Sequence, residues 1–462
     1  MNVMKNFSDT SPNIDIITIV MLLLSLFSLS LIALEAILTP IILFTMMLSI
    51  GLIFIIVFSK NDSLFKFKLF IFFFSFYLFY IMVHDYILIS LSPNLPPFDY
   101  TDETVFYNFS NLALPYISGE KNFFKLFTFA AYPMHEQPLH AMFSGMIAYI
   151  SILIDGNNTV MVQKFLSPFF GGIFSMVLYS TLKHQFKDST FALNATFGYG
   201  LLSAIFMFST PLLRDIDIAL AYMIFIYLFL QPNSYKNFFL LFIVSFLTGY
   251  LRPESGMVLF ALILLYSYLY IRKVESRSMK LIFYVLLMGL FSFILLLMSH
   301  KIIGRIAGMN EANTTRSIAQ ASSGSIALMF NKLPFPLSYI AKVLFGQMQP
   351  FPFFLTIHRP PEAISGIFWP FIFIMMLYAV MKKNIRALID TKVKYLLMVA
   401  ITILFLMSSE PMARRMMSVY PIIYITSLYA FFIVPNNEIK RIFSYYLFGI
   451  ITLNTFYYLI KL

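Results

Sequence analysis

The sequence reads as long apolar runs separated by short polar corners, with neither the strict alternation of half-buried strands nor the one-sided stripe of helices packed in water. Runs suitable for helices across a bilayer fall at about 16–34, 37–58, 67–91, 161–182, 190–209, 216–230, 237–251, 256–271, 280–299, 367–381, 395–408, 416–434 and 442–460. The pattern predicts an all-α fold: a polytopic transmembrane helical bundle of about 13 spans, forming one integral-membrane domain over 1–462. The first run is expected to stay as an anchor, because a second run follows at once across Glu35 to Pro40 with no small-residue cleavage site between them.

Two segments interrupt the rhythm. After the third run, 92–160 forms a long acidic stretch whose apolar portion, 139–154, is expected to lie on the membrane surface or re-enter it. Further on, 301–366 carries Pro334, Pro336, Pro350, Pro352, Pro360 and Pro361, which prevent one continuous helix. Short helices and irregular backbone against the outer leaflet are expected there.

Composition strengthens the membrane reading. Of 462 residues 60% are hydrophobic and 11% charged, whereas a soluble domain has about 25% charged residues. The net charge of +11 then reflects topology and not nucleic acid, since Lys and Arg resist translocation. Short corners rich in base hold Lys60, Lys66 and Lys68; Lys183 and Lys187; Arg272, Lys273, Arg277 and Lys280; Lys382, Lys383, Arg386, Lys392 and Lys394; and Lys440 with Arg441. These are expected in the cytoplasm. The N-terminus then lies inside, and 92–160, the corners near 214, 252 and 412, 301–366 and the C-terminus lie outside. With no Cys, disulfides, thiolate metal sites and cysteine nucleophiles are excluded. The six His lack zinc-binding spacing, so no metal ligands are assigned.

The candidate chemistry collects in the outside set. Asp99, Asp102 and Glu103 follow the third run and can project carboxylates into a cleft at the lipid–water boundary, where one can take a proton from a sugar hydroxyl. Solvation of an outside loop accounts for the same residues taken alone. Arg214, Asp215 and Asp217 form a tight corner, and Arg252 with Glu254 forms another. An Arg placed against the positive-inside tendency points to an anionic partner, either a neighbouring carboxylate or a phosphate. Arg414 and Arg415 are the clearest pair, because guanidinium forks grip phosphate oxygens bidentately, although snorkelling explains them too. His135 and Glu136, ahead of His140, can meet sugar hydroxyls. His84 and Asp85, late in the third run, are costly at membrane depth unless they face protein or water, and are expected to line the same cavity.

Taken together these residues resemble the GT-C superfamily of integral-membrane glycosyltransferases. Asp102-Glu103 matches the acidic opening of that family's first large extracytoplasmic loop. The stretch from Tyr132-Pro133 through Pro138 to Asp155-Gly156 looks like its loop-closing segment, and Asp215, with Asp217 beside it, matches an acid of the second such loop. Arg252-Pro253 and Arg414-Arg415 look like the arginine corners of these enzymes and of related repeat-unit polymerases. The resemblance implies a bacterial cytoplasmic-membrane hexosyltransferase-like enzyme. It would move a sugar from a polyprenyl-phosphate carrier to a hydroxyl of a cell-surface glycan or glycolipid, with inversion if the carboxylate acts as a general base. The alternative is an O-antigen or capsular repeat-unit polymerase using polyprenyl diphosphate. A polytopic transporter or flippase stands third. The implied partners are the polyprenyl-linked donor, a glycan or lipid-linked acceptor and membrane lipids, with no nucleic acid. No cofactor is implied, and a divalent metal is left open.

Overall fold

The computed structural model describes residues 14–32, 38–58, 62–91, 101–128, 131, 134, 137–271, 278, 281, 284–285, 289, 292, 333–334, 336–348, 359–406 and 416–461. Among these residues the chain is helical, with no strand. The helices, in chain order, are α1 (Ile14–Ile32), α2 (Thr39–Phe58), α3 (Ser63–Leu91), α4 (Thr101–Ile117), α5 (Pro138–Asp155), α6 (Val160–Gln163), α7 (Leu166–Phe186), α8 (Ser189–Leu202) and α9 (Ala204–Phe208). They continue as α10 (Asp215–Leu230), α11 (Tyr235–Leu251), α12 (Pro253–Ile271), α13 (Leu337–Gln347), α14 (Pro360–Met381), α15 (Lys383–Leu388), α16 (Thr391–Leu406), α17 (Tyr420–Ile433) and α18 (Asn436–Lys461).

Among the described residues six helical stretches are long and apolar enough to cross a membrane: Thr39–Val57, Ser63–Leu88, Pro138–Asp155, Val160–Phe186, Pro360–Met381 and Asn436–Leu459. Others predicted as spans, such as Tyr235–Leu251 and Tyr420–Ile433, are apolar but have 17 and 14 residues. At 1.5 Å per residue these reach about 26 and 21 Å, short of a roughly 30 Å hydrocarbon core unless corners complete the crossing. Most of the predicted run 280–299 and most of the 301–366 segment lie outside the described residues.

Local chemistry explains where the helices begin and how their polar groups are satisfied. Asp188 and Ser234 accept from the backbone N–H three residues on (2.9 and 3.1 Å) and start α8 and α11, while Pro138 and Pro360 open α5 and α14. Inside the helices the hydroxyls of Ser175, Thr181, Thr196, Ser245 and Ser267 return to the carbonyl four residues back, at 2.7–3.0 Å. In apolar surroundings that bond gives each of these hydroxyls an acceptor within its own helix. Aromatic rings fill the centre: Phe44 and Phe70 both stack on Phe74, at 5.3 and 5.7 Å. Glycine allows the closest approach, since a Cβ on Gly256 would sit 2.5 Å from the Gly249 Cα and force α11 and α12 apart.

Side-chain contacts define two ends of the bundle. At one, Lys183 pairs with Asp62, joining the end of α7 to the start of α3. Lys392 donates to the carbonyls of Phe229 and Gln231 (2.9 and 2.5 Å), and Tyr378 donates to Glu438 (2.6 Å). Because Lys183, Lys187, Lys382, Lys383, Arg386, Lys392 and Lys394 are at or beside these contacts in the chain, this is the basic end. At the other end, Lys164 at the start of α7 meets Asp85 late in α3, so α3 and α7 run antiparallel. Helix α2 is antiparallel to α3 as well, with Phe44 beside Phe74 and Gly51 beside Phe70.

Helix α5, expected not to cross, has both ends at this second, acidic end. Gln137 holds Arg214 just before α10. Asp155 accepts from the N–H groups of Leu38 and Thr39 (3.3 and 2.9 Å), capping α2. Its 18 residues are long and apolar enough for a span, but its hydrogen bonds join two points on the same end.

Candidate functional site

The polar residues of the acidic end are organised around the corner 209–214, between α9 and α10. Pro211 prevents a helix from running through, and the backbone groups thus freed must find partners in apolar surroundings. Two side chains from other helices supply them. Ser167 of α7 donates to the Pro211 carbonyl at 2.6 Å, and Glu103 of α4 accepts the Leu212 N–H at 2.9 Å. The corner is therefore pinned to the two helices that carry the neighbouring charges.

Glu103 also faces Lys164 Nζ at 3.4 Å, and the same ammonium lies 2.9 Å from Asp85 Oδ2 and 3.1 Å from Oδ1. All three side chains are exposed by no more than 1%. His84 approaches Asp85 at 3.5 Å and stacks on Tyr80. A hydrogen-bond chain ties the segment just before Lys164 to α4: Tyr107 of α4 donates to the Asn158 carbonyl (2.7 Å), Asn158 donates to Asn111 (2.9 Å), and Gln163 donates to Asn158 (2.8 Å). One ammonium between two carboxylates, withdrawn from solvent, forms a clamp across α3, α4 and α7.

Beside the clamp, His140 Nδ1 and Asp217 Oδ2 are 2.6 Å apart, both essentially unexposed, joining α5 to α10. Phe106 packs edge-on against the imidazole at 4.8 Å. His140 Nε2 and Asp217 Oδ1 have no hydrogen-bond partner among the described residues. Two residues earlier, Asp215 lines a recess with Tyr222, Arg252, Glu254 and Ser418. Arg252 Nε is 3.9 Å from Glu254 Oε2. The recess has a cavity volume of about 40 Å³, room for a few waters.

The predicted site residues thus separate into groups. Glu103, Arg214, Asp215, Asp217, Arg252 and Glu254 gather at the acidic end, with Asp85 beside them in the ion pair with Lys164. Asp102, half-buried, precedes Glu103 in the first turn of α4. Its side chain leaves the helix about 100° from the inward-facing Glu103. Asp99, His135, Glu136, Arg414 and Arg415 lie outside the described residues, although Met417 and Ser418, just after the arginine pair in sequence, line the recess.

Lys164 and Gln137 were not singled out from the sequence. Lys164 had a usable signal, being a cation inside the apolar run 161–182, where a charge is costly unless paired. Gln137, a neutral residue among prolines, had none. Among the described residues no cluster of three or more His, Asp or Glu side chains is arranged to hold a metal ion. Comparison of the chain with protein-family models, with curated proteins and with solved structures gives no match.

Proposed function

We propose that the protein is a membrane glycosyltransferase of GT-C type, acting at the acidic end of the bundle on a polyprenyl-phosphate-linked sugar, with this end on the outer face of the bacterial cytoplasmic membrane. The observation that carries the reading is the convergence of buried carboxylates and cations from α3, α4, α5, α7, α10 and α12 at one end of the bundle. A donor already embedded in the membrane and flipped outward would need no nucleotide-binding domain. It would need a carboxylate to take the acceptor proton and cations to stabilise the leaving phosphate.

Asp102 is the base in this reading. Glu103 is committed to Lys164 and the Leu212 N–H, whereas Asp102 leaves the same turn in another direction and is half-buried. Asp215, Asp217 and Glu254, with His135 and Glu136 from the preceding loop, would surround the sugars. Arg214 and Arg252, with Arg414 and Arg415 beside the recess in sequence, would receive the phosphate. Attack by a hydroxyl deprotonated at Asp102 displaces the carrier phosphate from the opposite face, so the anomeric carbon inverts. A repeat-unit polymerase would use the same groups with a diphosphate leaving group. A transporter is less well supported, because the clamp and the His140–Asp217 pair both stand at the acidic end.

The test replaces each acid by its amide in cells scored for surface glycan and for lipid-linked precursor. Asp102→Asn should reduce transfer about 10²- to 10⁴-fold, the usual loss for a general base, with normal protein in the membrane and accumulated precursor. Normal glycan in Asp102→Asn cells would remove the base assignment and the reading that rests on it.

A further inference from the structure

The basic end carries a groove that glycosyl transfer leaves unused. It lies between the last turn of α14, α15 and the first half of α16. Lys383, Arg386 and Lys394 line it, and Leu397, Met398 and Ile401 give it an apolar wall that continues along α16.

The neighbouring cations are already occupied. Lys392 donates to two carbonyls at the end of α10, and Lys382 lies over the Tyr378 ring at 5.2 Å. Between Lys382 and Lys394 the sequence holds five cations and a single acid, Asp390, so positive charge in the groove is not balanced locally. Ile385 and Ile389 are buried and pin α15 to the bundle. Met381, Leu388 and Met398 are 79%, 62% and 61% exposed beside the cations. Large apolar side chains next to exposed lysines are poorly placed in water and well placed where headgroups meet acyl chains.

We propose that this groove binds an anionic phospholipid, with its phosphate and headgroup on Lys383, Arg386 and Lys394 and an acyl chain along Leu397, Met398 and Ile401. Charge complementarity selects an anionic headgroup over a zwitterionic one, since each Lys or Arg near the headgroup plane adds attraction to net negative charge. The apolar wall selects a lipid over a free anion, because phosphate alone gains nothing from it. The site is at the far end of the bundle from the Asp102 cluster, so it stands independently of the glycosyltransferase reading.

Native mass spectrometry of the full chain, purified in detergent and titrated with phosphatidylglycerol or phosphatidylethanolamine of matched acyl chains, tests it. The wild-type chain should retain phosphatidylglycerol preferentially. The preference should fall by about tenfold or more in the variant K383Q/R386Q/K394Q, and it should persist in K440Q, which removes an exposed cation at the same end but outside the groove. As a second measurement, phosphatidylglycerol should raise the melting temperature of the wild-type chain and should raise that of Lys394→Glu less. Equal retention of the two lipids, undiminished preference in the triple variant, or complete displacement of phosphatidylglycerol by millimolar inorganic phosphate would each overturn the proposal.

Discussion

Removing the ammonium of Lys164 tests the structural basis of the acidic end most directly. In Lys164→Met the side chain keeps its volume and apolar stem but loses the ammonium that Asp85 and Glu103, both essentially unexposed, share. At 2.9 and 3.4 Å and an effective dielectric constant of about 20, each attraction is worth roughly 5 kcal/mol before desolvation is subtracted. Desolvation offsets much of that, and the loss observed when one partner of a buried pair is deleted is about 3–5 kcal/mol. Reversible unfolding of the purified chain in mixed micelles would measure it. The companion variant D85N/E103Q/K164M removes all three charges and retains an amide oxygen to accept the Leu212 N–H. It should recover at least half of the loss, because neutralising a whole buried cluster is far less costly than orphaning part of it. Stability of Lys164→Met within about 0.5 kcal/mol of wild type, the scatter of an ordinary surface change, would refute the clamp. So would a triple variant as unstable as the single one.

The remaining expectations use other parts of the bundle. Gly256→Ala would push a methyl into the Gly249 backbone, 2.5 Å away, and should cost about 1–3 kcal/mol through overpacking of α11 on α12; an unchanged melting temperature would show that the two helices can part freely. Glu103→Gln should lower the amount of folded protein, since the amide is a poor partner for Lys164, whereas Asp102→Asn should leave it unchanged while glycan transfer falls; quantitative membrane blots beside the glycan assay separate the two. Reporter fusions after Lys187 should read cytoplasmic, and those after Asn111 and Leu462 should read outside, because Lys187 adjoins the basic end while α18 starts there at Glu438 and runs away from it. An outside signal at Lys187 would refute this orientation.

Much of this protein follows from residue type and spacing alone. With 11% charged residues and apolar runs of span length, the chain can only fold by satisfying its backbone within itself, which in a bilayer means helices. The same economy made its few charges legible: Arg214, Asp215, Asp217, Arg252 and Glu254 drew attention because a charge beside an apolar run needs a reason. Partnership was not legible. Asp85, Glu103 and Lys164 are 18 and 61 positions apart along the chain, and only the antiparallel packing of α3 on α7, with Glu103 reaching in from α4, brings them within 3.4 Å. The same packing decides that Glu103 faces inward while Asp102, one residue earlier, does not, a choice of helix rotation that local sequence leaves open. The partners of α5 were equally beyond reach: the alternation of basic corners suggested that 139–154 does not cross, but that Asp155 meets the start of α2 and Gln137 meets Arg214 follows only from long-range hydrogen bonds. Hydrophobicity determines that a segment is buried, whereas which neighbour buries it depends on contacts between residues far apart in the chain, and those exist only once the bundle has assembled.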